Sequence, residues 1–473
     1  MNERLEIFPT ERQKLYEKFA DRLIKASNLS RQIVSFQANK EEPIYRWFKY
    51  KEGFSSTLVQ YFLTKFSDKP GKLLDPFAGV GTTLFAGQSL GWDSYGIEIL
   101  PVGIFVMETR DALHNIDPAD LGRSLQNLWS EYDKFERTTL HLNHISITKD
   151  AFPEDTERAL NRFLSYCEHV PQKEIRTLLR FAAFSILEEI SYTRKDGQYL
   201  RWDYRSKRDL AGKPFNKGRI LSFEQALRIK LSQISADLVP QSDSLFETPR
   251  NNGHNYPSIK IIDGSCLQEL PAFENDFFDF IVTSPPYCNR YDYTRTYALE
   301  LVFLGCDSDK VRNLRQELLS CTVENKEKVE QLRQTYTLLG KSSTFDSVLR
   351  VYDSSLAMSE VNYILSELNK LDRLNNANIP RMVRNYFLEM CFAIYEMARV
   401  TKRGGYCVMV NDNVRYGGEE IPVDLILSEF AEGLGFNTQN IFVLPRGKGN
   451  SSQQMGNYGR TEIRKCVYLW KKE

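Results

Sequence analysis

One stretch limits the possible folds of this chain more than any other. Lys72-Leu73-Leu74 runs into Asp75-Pro76-Phe77-Ala78-Gly79-Val80-Gly81-Thr82-Thr83, and Ser94-Tyr95-Gly96-Ile97-Glu98 follows after Gly91. The apolar start reads as a buried strand, the glycines as a turn, Leu84 to Gly91 as a short helix, and Ser94–Glu98 as a second strand. This predicts a βαβ unit with an acidic residue closing its second strand. In an open α/β sheet a ligand sits beyond the carboxyl ends of the strands. Gly79 and Gly81 allow a tight turn and a close approach to such a ligand, where a Cβ would clash. Asp75 is placed to hold the turn or an amino group of the ligand. Glu98, 17 residues after Gly81, is placed to accept both hydrogen bonds of a ribose diol. A dinucleotide or another nucleotide would fit the same frame. However, residue 84 is Leu where a third dinucleotide glycine would stand, and no lysine follows the turn as in a triphosphate-binding loop.

A second motif, Ser284-Pro285-Pro286-Tyr287, ends a strand-like run rich in Phe, Ile and Val, Phe277–Thr283. Two prolines stiffen the backbone in an extended form and remove two donors. What remains is the Ser284 hydroxyl and the Pro285 carbonyl, both acceptors, beside the ring of Tyr287. That set suits an amino group conjugated to a flat ring. Acceptors holding its hydrogens favour a pyramidal nitrogen and free its lone pair for an electrophile, while the tyrosine could stack on the ring. The alternative is a Pro-Pro turn leaving a strand, with a core tyrosine.

The rest of the chain supplies context. Its 473 residues are enough for two or three domains. With 42% hydrophobic and 26% charged residues it has the composition of a soluble globular protein. No run of about 18 apolar residues predicts a membrane span, and the charged N-terminus lacks the apolar centre of a secretory signal. Eight scattered cysteines without a Cys-x-x-Cys pair argue against structural zinc and a disulfide framework, and suit a reducing cytoplasm. No metal site is expected. The net charge is zero, yet residues 194–219 hold nine Lys or Arg against three Asp, so a local phosphate-binding stripe is compatible with overall neutrality. Residues 1–40 read as an amphipathic helix on Leu15, Phe19, Leu23 and Ile24. Residues 105–250 read as mainly helical, and 307–372 as a charged helical hairpin. An amphipathic helix through Phe387, Met390, Ile394 and Met397 stops at Gly404-Gly405. The strands Asn440–Leu444 and Ile463–Trp470 are expected to form an antiparallel pair at the sheet edge.

The combination Asp-Pro-Phe-Ala-Gly-x-Gly-Thr-Thr and Thr-Ser-Pro-Pro-Tyr, each closing a strand, resembles the amino-group DNA methyltransferases of restriction–modification systems. Tyr45 to Ser55 resembles the segment of that family that precedes the first strand. Ile262-Asp263-Gly264 resembles its third-strand motif, and Arg399 to Gly405 with Val408 to Asp412 its later core motifs. The resemblance implies an α/β S-adenosylmethionine-dependent methyltransferase fold, a mostly parallel Rossmann-like sheet with an antiparallel edge strand and two helical insertions. Phe54, Asp75, Phe77, Gly79, Gly81, Thr82, Glu98 and Asp263 would surround S-adenosyl-L-methionine. Ser284, Pro285, Pro286 and Tyr287 would hold a base flipped out of double-stranded DNA. Serine before Pro-Pro favours cytosine N4 over adenine N6. A cognate restriction endonuclease is the further partner implied, and no membrane.

On this reading 1–44 is an N-terminal helical segment, 45–105 the first core piece with the cofactor motifs, and 106–257 a helical and basic insertion, the candidate DNA-recognition region. Residues 258–305 are core with the catalytic motif, 306–379 a helical insertion and 380–473 the last core piece. Arg194–Arg208 and the loop Arg446–Gln454 carry donors suited to DNA. Asn289–Tyr293 and Asn411–Asn413 are candidates for extending the base pocket, although Arg290 and Asp292 could equally pair with each other. No cysteine lies in a Pro-Cys context, which disfavours the covalent route of cytosine-C5 enzymes. An RNA amino-group methyltransferase and a non-catalytic regulatory module are the competing readings, with a hydride-transfer enzyme behind them.

Overall fold

The computed structural model describes residues 10–473 except 27, 52, 197–198, 209–213, 239–256 and 446–462. Eight strands form the central sheet: β1 (Leu23–Lys25), β2 (Lys72–Asp75), β3 (Asp93–Glu98), β4 (Ile259–Asp263), β5 (Phe278–Thr283), β6 (Thr401–Asp412), β7 (Phe436–Val443) and β8 (Lys465–Lys472). Their spatial order is β1-β7-β8-β6-β5-β2-β3-β4. All neighbours are parallel except β8, which runs antiparallel to both β6 and β7. The chain winds outward from β2 through β3 to β4, then returns to β5 on the other side of β2. That reversal opens a crevice beyond the carboxyl ends of β2 and β5, where a doubly wound sheet takes its ligand.

The period-two alternation of the strands divides the core between two faces. Leu74, Ile281, Cys407, Met409, Tyr468 and Trp470 pack on one side with the helices Ile379–Val400 and Val423–Gly433. Leu73, Phe280, Val282, Val408, Val410 and Val467 pack on the other with helix Ser56–Phe66. Both faces are covered, so the strands are nearly continuous apolar runs.

Three local expectations need correction. The antiparallel strand is not at the edge: β8 is inserted between β6 and β7, and the edge beyond β7 is closed by β1, with Leu23 opposite Ile441. The N-terminal segment is therefore not one helix. Its helix runs Glu11–Lys18, and Leu23 and Ile24 join the sheet. The long helix ends at Val400 rather than at the glycines, where the Thr401 hydroxyl bonds back to Met397 O at 2.6 Å. Gly405 lies inside β6, where a Cβ would sit 2.7 Å from Asp279 O at a register shift between β5 and β6.

The stretch 112–238 folds largely as helices around its own apolar core, which is continuous with Phe48, Tyr50, Val102, Val106 and Tyr297. A hairpin of Thr193–Asp196 and Tyr199–Trp202 interrupts it. Residues 307–372 form four helices rather than a simple hairpin, and Tyr336, Phe345, Val348 and Met358 pack into the core beside helix Ile379–Val400. A buried ion pair joins the two parts: Lys328 Nζ lies 3.0 Å from Glu389, which also accepts from the Ser320 amide at 2.8 Å. Among the described residues no helix is long and apolar enough to cross a membrane.

Removing one partner of a buried pair leaves an uncompensated charge, whereas replacing both leaves none. Lys328→Met should therefore lower stability by about 3–5 kcal/mol in urea unfolding. The double substitution Lys328→Met with Glu389→Leu should cost distinctly less. Equal losses in the two variants would contradict this account of the junction.

Candidate active site

The crevice holds a partly open cavity whose walls come from both motifs. Its floor is the glycine turn. Asp75, at the end of β2, is 1% exposed and accepts three hydrogen bonds. They come from Phe77 N at 3.1 Å, the Thr83 hydroxyl at 2.7 Å and the Thr283 hydroxyl at 2.6 Å. Its role is thus to hold the turn, the helix Thr82–Ser89 and the end of β5 together. Burial pushes its carboxyl up to about 6, against the pull of those three donors. Gly79 and Gly81 have φ of +55° and +78°. A Cβ on Gly79 would press on the Tyr50 ring at 3.1 Å, and one on Gly81 would meet Met107 Cγ at 2.7 Å.

Glu98 closes β3. Its Oε2 accepts from Gly79 N at 2.7 Å, and its Oε1 from Ile99 N at 2.9 Å and Leu100 N at 2.7 Å. Helix Pro101–Asp111 has no side-chain N-cap and begins with a proline. The Glu98 carboxylate therefore serves the backbone donors just before that helix as well as the turn. Burial outweighs these donors and raises its carboxyl to about 7.

The second motif reaches the same cavity. Ser284 and Pro286 line it together with Phe54, Asp75, Phe77, Gly79, Thr82 and Glu98. The Ser284 hydroxyl donates to Val410 O at 3.1 Å and lies 3.4 Å from the Tyr287 hydroxyl. With its proton directed at the Val410 carbonyl, its oxygen keeps lone pairs for another donor. Pro285, Tyr287, Gly81 and Asp263 are not in the cavity wall. Tyr287 is buried at 7% exposure, Gly81 supports the turn from behind, and Asp263 is exposed at the end of β4, opposite Glu98.

Phe54 is positioned by its neighbours. Ser55 caps helix Ser56–Phe66 by accepting from Leu58 N, and buried Asn39 donates to Phe54 O at 3.1 Å and accepts from Ser56 N at 3.1 Å. Sequence reasoning missed four further contributors. Arg110, 2% exposed, donates to Val80 O at 2.8 Å and ties the turn to Ile44 and Tyr45. Gly103 lets its helix approach the turn: a Cβ there would lie 2.1 Å from Gly79 O. A glycine inside an otherwise apolar helix was the available signal. Leu318 and Leu319 line the cavity from the second insertion, with no local signal of that role.

Other expected contributors lie elsewhere. Arg290 bonds Asn375 at 2.7 Å, while Asp292 pairs with Arg295 and Arg315 at 3.2 and 3.0 Å, so the two do not pair with each other. Tyr293 does line the cavity. Asn411 donates to the Tyr386 hydroxyl at 2.8 Å, Asp412 pairs with Lys465 at 2.5 Å and Asn413 bonds Glu420 at 3.0 Å, all structural ties. Residues 446–454 lie outside the described residues. Among the described residues no cluster of His, Cys, Asp and Glu could hold a metal ion.

A carboxyl whose pKa is raised on folding stabilises the fold below its unfolded value, and that contribution is lost as pH rises through the folded value. For Glu98 the window runs from 4.5 to about 7, on the order of 3 kcal/mol. The Tm of the ligand-free protein should thus fall between pH 5 and 8, and Glu98→Gln, which cannot ionise, should flatten the decline. Superimposable pH profiles of the two proteins would refute this role. Asp75 acts in the same direction over a lower range, so the difference between the profiles is the informative quantity.

No family model and no solved structure matches the chain. Among curated proteins it is 46% identical to the Type II methyltransferase M.AvaI of Nostoc sp. strain PCC 7120, over 97% of this chain and 92% of that protein. It is 41% identical to the Type II methyltransferase M.BsoBI of Geobacillus stearothermophilus, over 98% and 92%. With the Type II methyltransferase M.MvaI of Kocuria varians the identity is 24%, over 95% and 96%. Such similarity along nearly the full length, joined to a crevice in which the glycine turn and the Ser-Pro-Pro strand meet, gives the family: the chain belongs to the Type II methyltransferases.

Proposed function

We propose that this enzyme transfers a methyl group from S-adenosyl-L-methionine to the exocyclic amino group of a base in double-stranded DNA, at a specific sequence and with cytosine N4 as the target atom. The observation that carries the reading is that Ser284 and Pro286 share one cavity wall with Phe54, Asp75, Gly79 and Glu98. One acceptor for an amine, the Ser284 oxygen, thereby stands beside a nucleoside-type site, with Pro285 next to it in the chain.

The residues fit that cofactor. Ile97, Leu318, Leu319 and Cys266 give apolar walls suited to a flat ring. Glu98 and the turn glycines offer a carboxylate and close backbone for hydroxyl and amino groups, and Phe54, Tyr50 and Thr82 line the remainder. When bound, S-adenosylmethionine supplies an electrophilic methyl on a sulfonium. The chain's own part is to position. Once the base has left the stack, the Ser284 oxygen and the Pro285 carbonyl accept its two amino hydrogens, which localises the nitrogen lone pair for attack. Asp75 keeps the turn in register with this strand through Thr283. All eight cysteines are buried, and burial raises the Cys288 thiol well above its usual range. This suits direct transfer without a cysteine adduct. A cognate endonuclease blocked by the methyl mark is the partner we assign.

Labelled S-adenosylmethionine and unmethylated duplex DNA, digested to nucleosides for mass spectrometry, should yield N4-methylcytosine. N6-methyladenine would overturn the inference from Ser284, and label in RNA alone would overturn the DNA assignment. Ser284→Ala should lower kcat by about 10- to 100-fold, as for a lost hydrogen bond worth roughly 1.5–3 kcal/mol, with cofactor affinity retained.

A further inference from the structure

A second concavity, with about 880 Å³ of empty space, lies between the segment around Tyr45–Trp47 and the hairpin of the first insertion. Seven Lys or Arg side chains line it, against Glu188 and Glu189. Two of the seven are neutralised within the fold. Arg46 pairs with Asp237, and Lys195 lies 2.5 Å from Glu300. Two more hydrogen-bond only to uncharged groups: Lys217 donates to Ser191 O at 2.7 Å, and Lys230 to Trp47 O at 2.8 Å and Gln233 at 3.1 Å. Glu188 and Glu189 offset part of the charge on Lys217, and Glu189 and Asp237 part of that on Lys230, while burial pushes Lys217 down to about 8 and lowers Lys230. The last three, Lys49, Arg194 and Arg219, are exposed; Arg194 lies 5.8 Å from the centre of the Phe215 ring, and among the described residues none of the three side chains forms a hydrogen bond or ion pair.

Other cations of the basic stretch are engaged differently. Arg201 covers the Phe215 ring at 4.1 Å and pairs with Asp196 at 3.2 Å. Arg205 pairs with Asp203 at 2.6 Å, and Arg208 covers Trp202 at 3.8 Å and donates to Lys149 O at 2.8 Å. The interleaving of cations and aromatics that suggested a phosphate-tracking surface is thus largely internal packing. The uncompensated charge gathers at the concavity instead.

Its position relative to the methyl-transfer cleft is informative. Phe48 and Lys49 border the concavity, and Tyr50 borders the cleft. Lys195 Nζ lies 4.7 Å from the centre of the Tyr297 ring, which stacks on Tyr50 at 5.1 Å. One layer of aromatic rings separates the two.

We propose that this concavity binds a phosphodiester of the DNA substrate and so anchors the backbone beside the nucleotide whose base enters the cleft. The inference rests on the DNA reading above. Guanidinium groups at the mouth suit bidentate contact with phosphate oxygens. The half-buried ammonium groups of Lys217 and Lys230 behind them gain from an anion more than they would in water.

The test uses the full chain with Arg194→Ala and Arg219→Ala combined, exposed positions whose loss leaves the fold intact. Duplex DNA affinity is read by fluorescence anisotropy between 50 and 200 mM salt. The expected result is a Kd raised by roughly tenfold and a log–log salt slope reduced by about one, since each phosphate neutralised contributes about 0.9. Cofactor affinity should not change, and Arg194→Lys combined with Arg219→Lys should keep most of the slope. A Kd and slope equal to those of the unsubstituted protein would overturn the proposal. Calorimetric titration with inorganic phosphate separates the sources: phosphate binding lost in the variant while DNA affinity holds would make this a small-anion site and overturn the DNA assignment. If the unsubstituted protein shows the expected DNA behaviour but methylates no DNA, the methyl-transfer reading fails and the phosphate site stands.

Discussion

The site depends on the buried carboxylate of Asp75. It gathers donors from the turn, from helix Thr82–Ser89 and from β5, whose Thr283 lies 208 positions further along the chain. Burial works against the charge and raises the carboxyl to about 6, so near neutral pH the ionised form persists because three donors meet it. A buried charge deprived of one donor bears the cost of that unmet group. The glycine turn and the strand that ends in Ser-Pro-Pro are therefore held as one unit, which fixes the turn of the proposed cofactor site against the Ser284 proposed to hold the base. Preorganisation of this kind is what a positioning enzyme requires.

Around that unit the two long stretches between the core strands do more than fill space. The helices of 307–372 are anchored through Lys328–Glu389 and supply Leu318 and Leu319 to the cavity. The stretch 112–238 shares a core with Tyr50 and Tyr297 and presents the cationic concavity behind that aromatic layer. Glu98 links the levels in another way, since one carboxylate serves the Gly79 turn and the start of the next helix. Its proton affinity then becomes a property of the whole crevice.

Much of this was readable where the determinants are local. A strand, a glycine turn and an acidic strand end within 27 residues, 72–98, define a βαβ unit by themselves, and a Ser-Pro-Pro run can close only a strand or a turn. Features set by distant partners were not readable. β1 has three residues, half-buried or exposed, and becomes a strand only by pairing with Ile441–Val443. The place of β8 between β6 and β7 is set by pairing with strands distant in the chain, which its own composition does not show. Leu318 and Leu319 resemble any other core leucines until the fold brings them to the cavity. The basic stretch revealed its charge but not which cations already had partners.

The central claim is that one crevice holds the methyl donor and the target amine together. The most direct measurement is a crystal structure of the protein with cognate duplex DNA and a cofactor analogue that cannot transfer its methyl. The account predicts an extrahelical base in the crevice, its amino group bonded to the Ser284 oxygen and the Pro285 carbonyl. The nitrogen should lie about 3–3.5 Å from the position of the methyl carbon. A base that stays stacked, or one bound in another cavity while the analogue occupies the glycine turn, would contradict it.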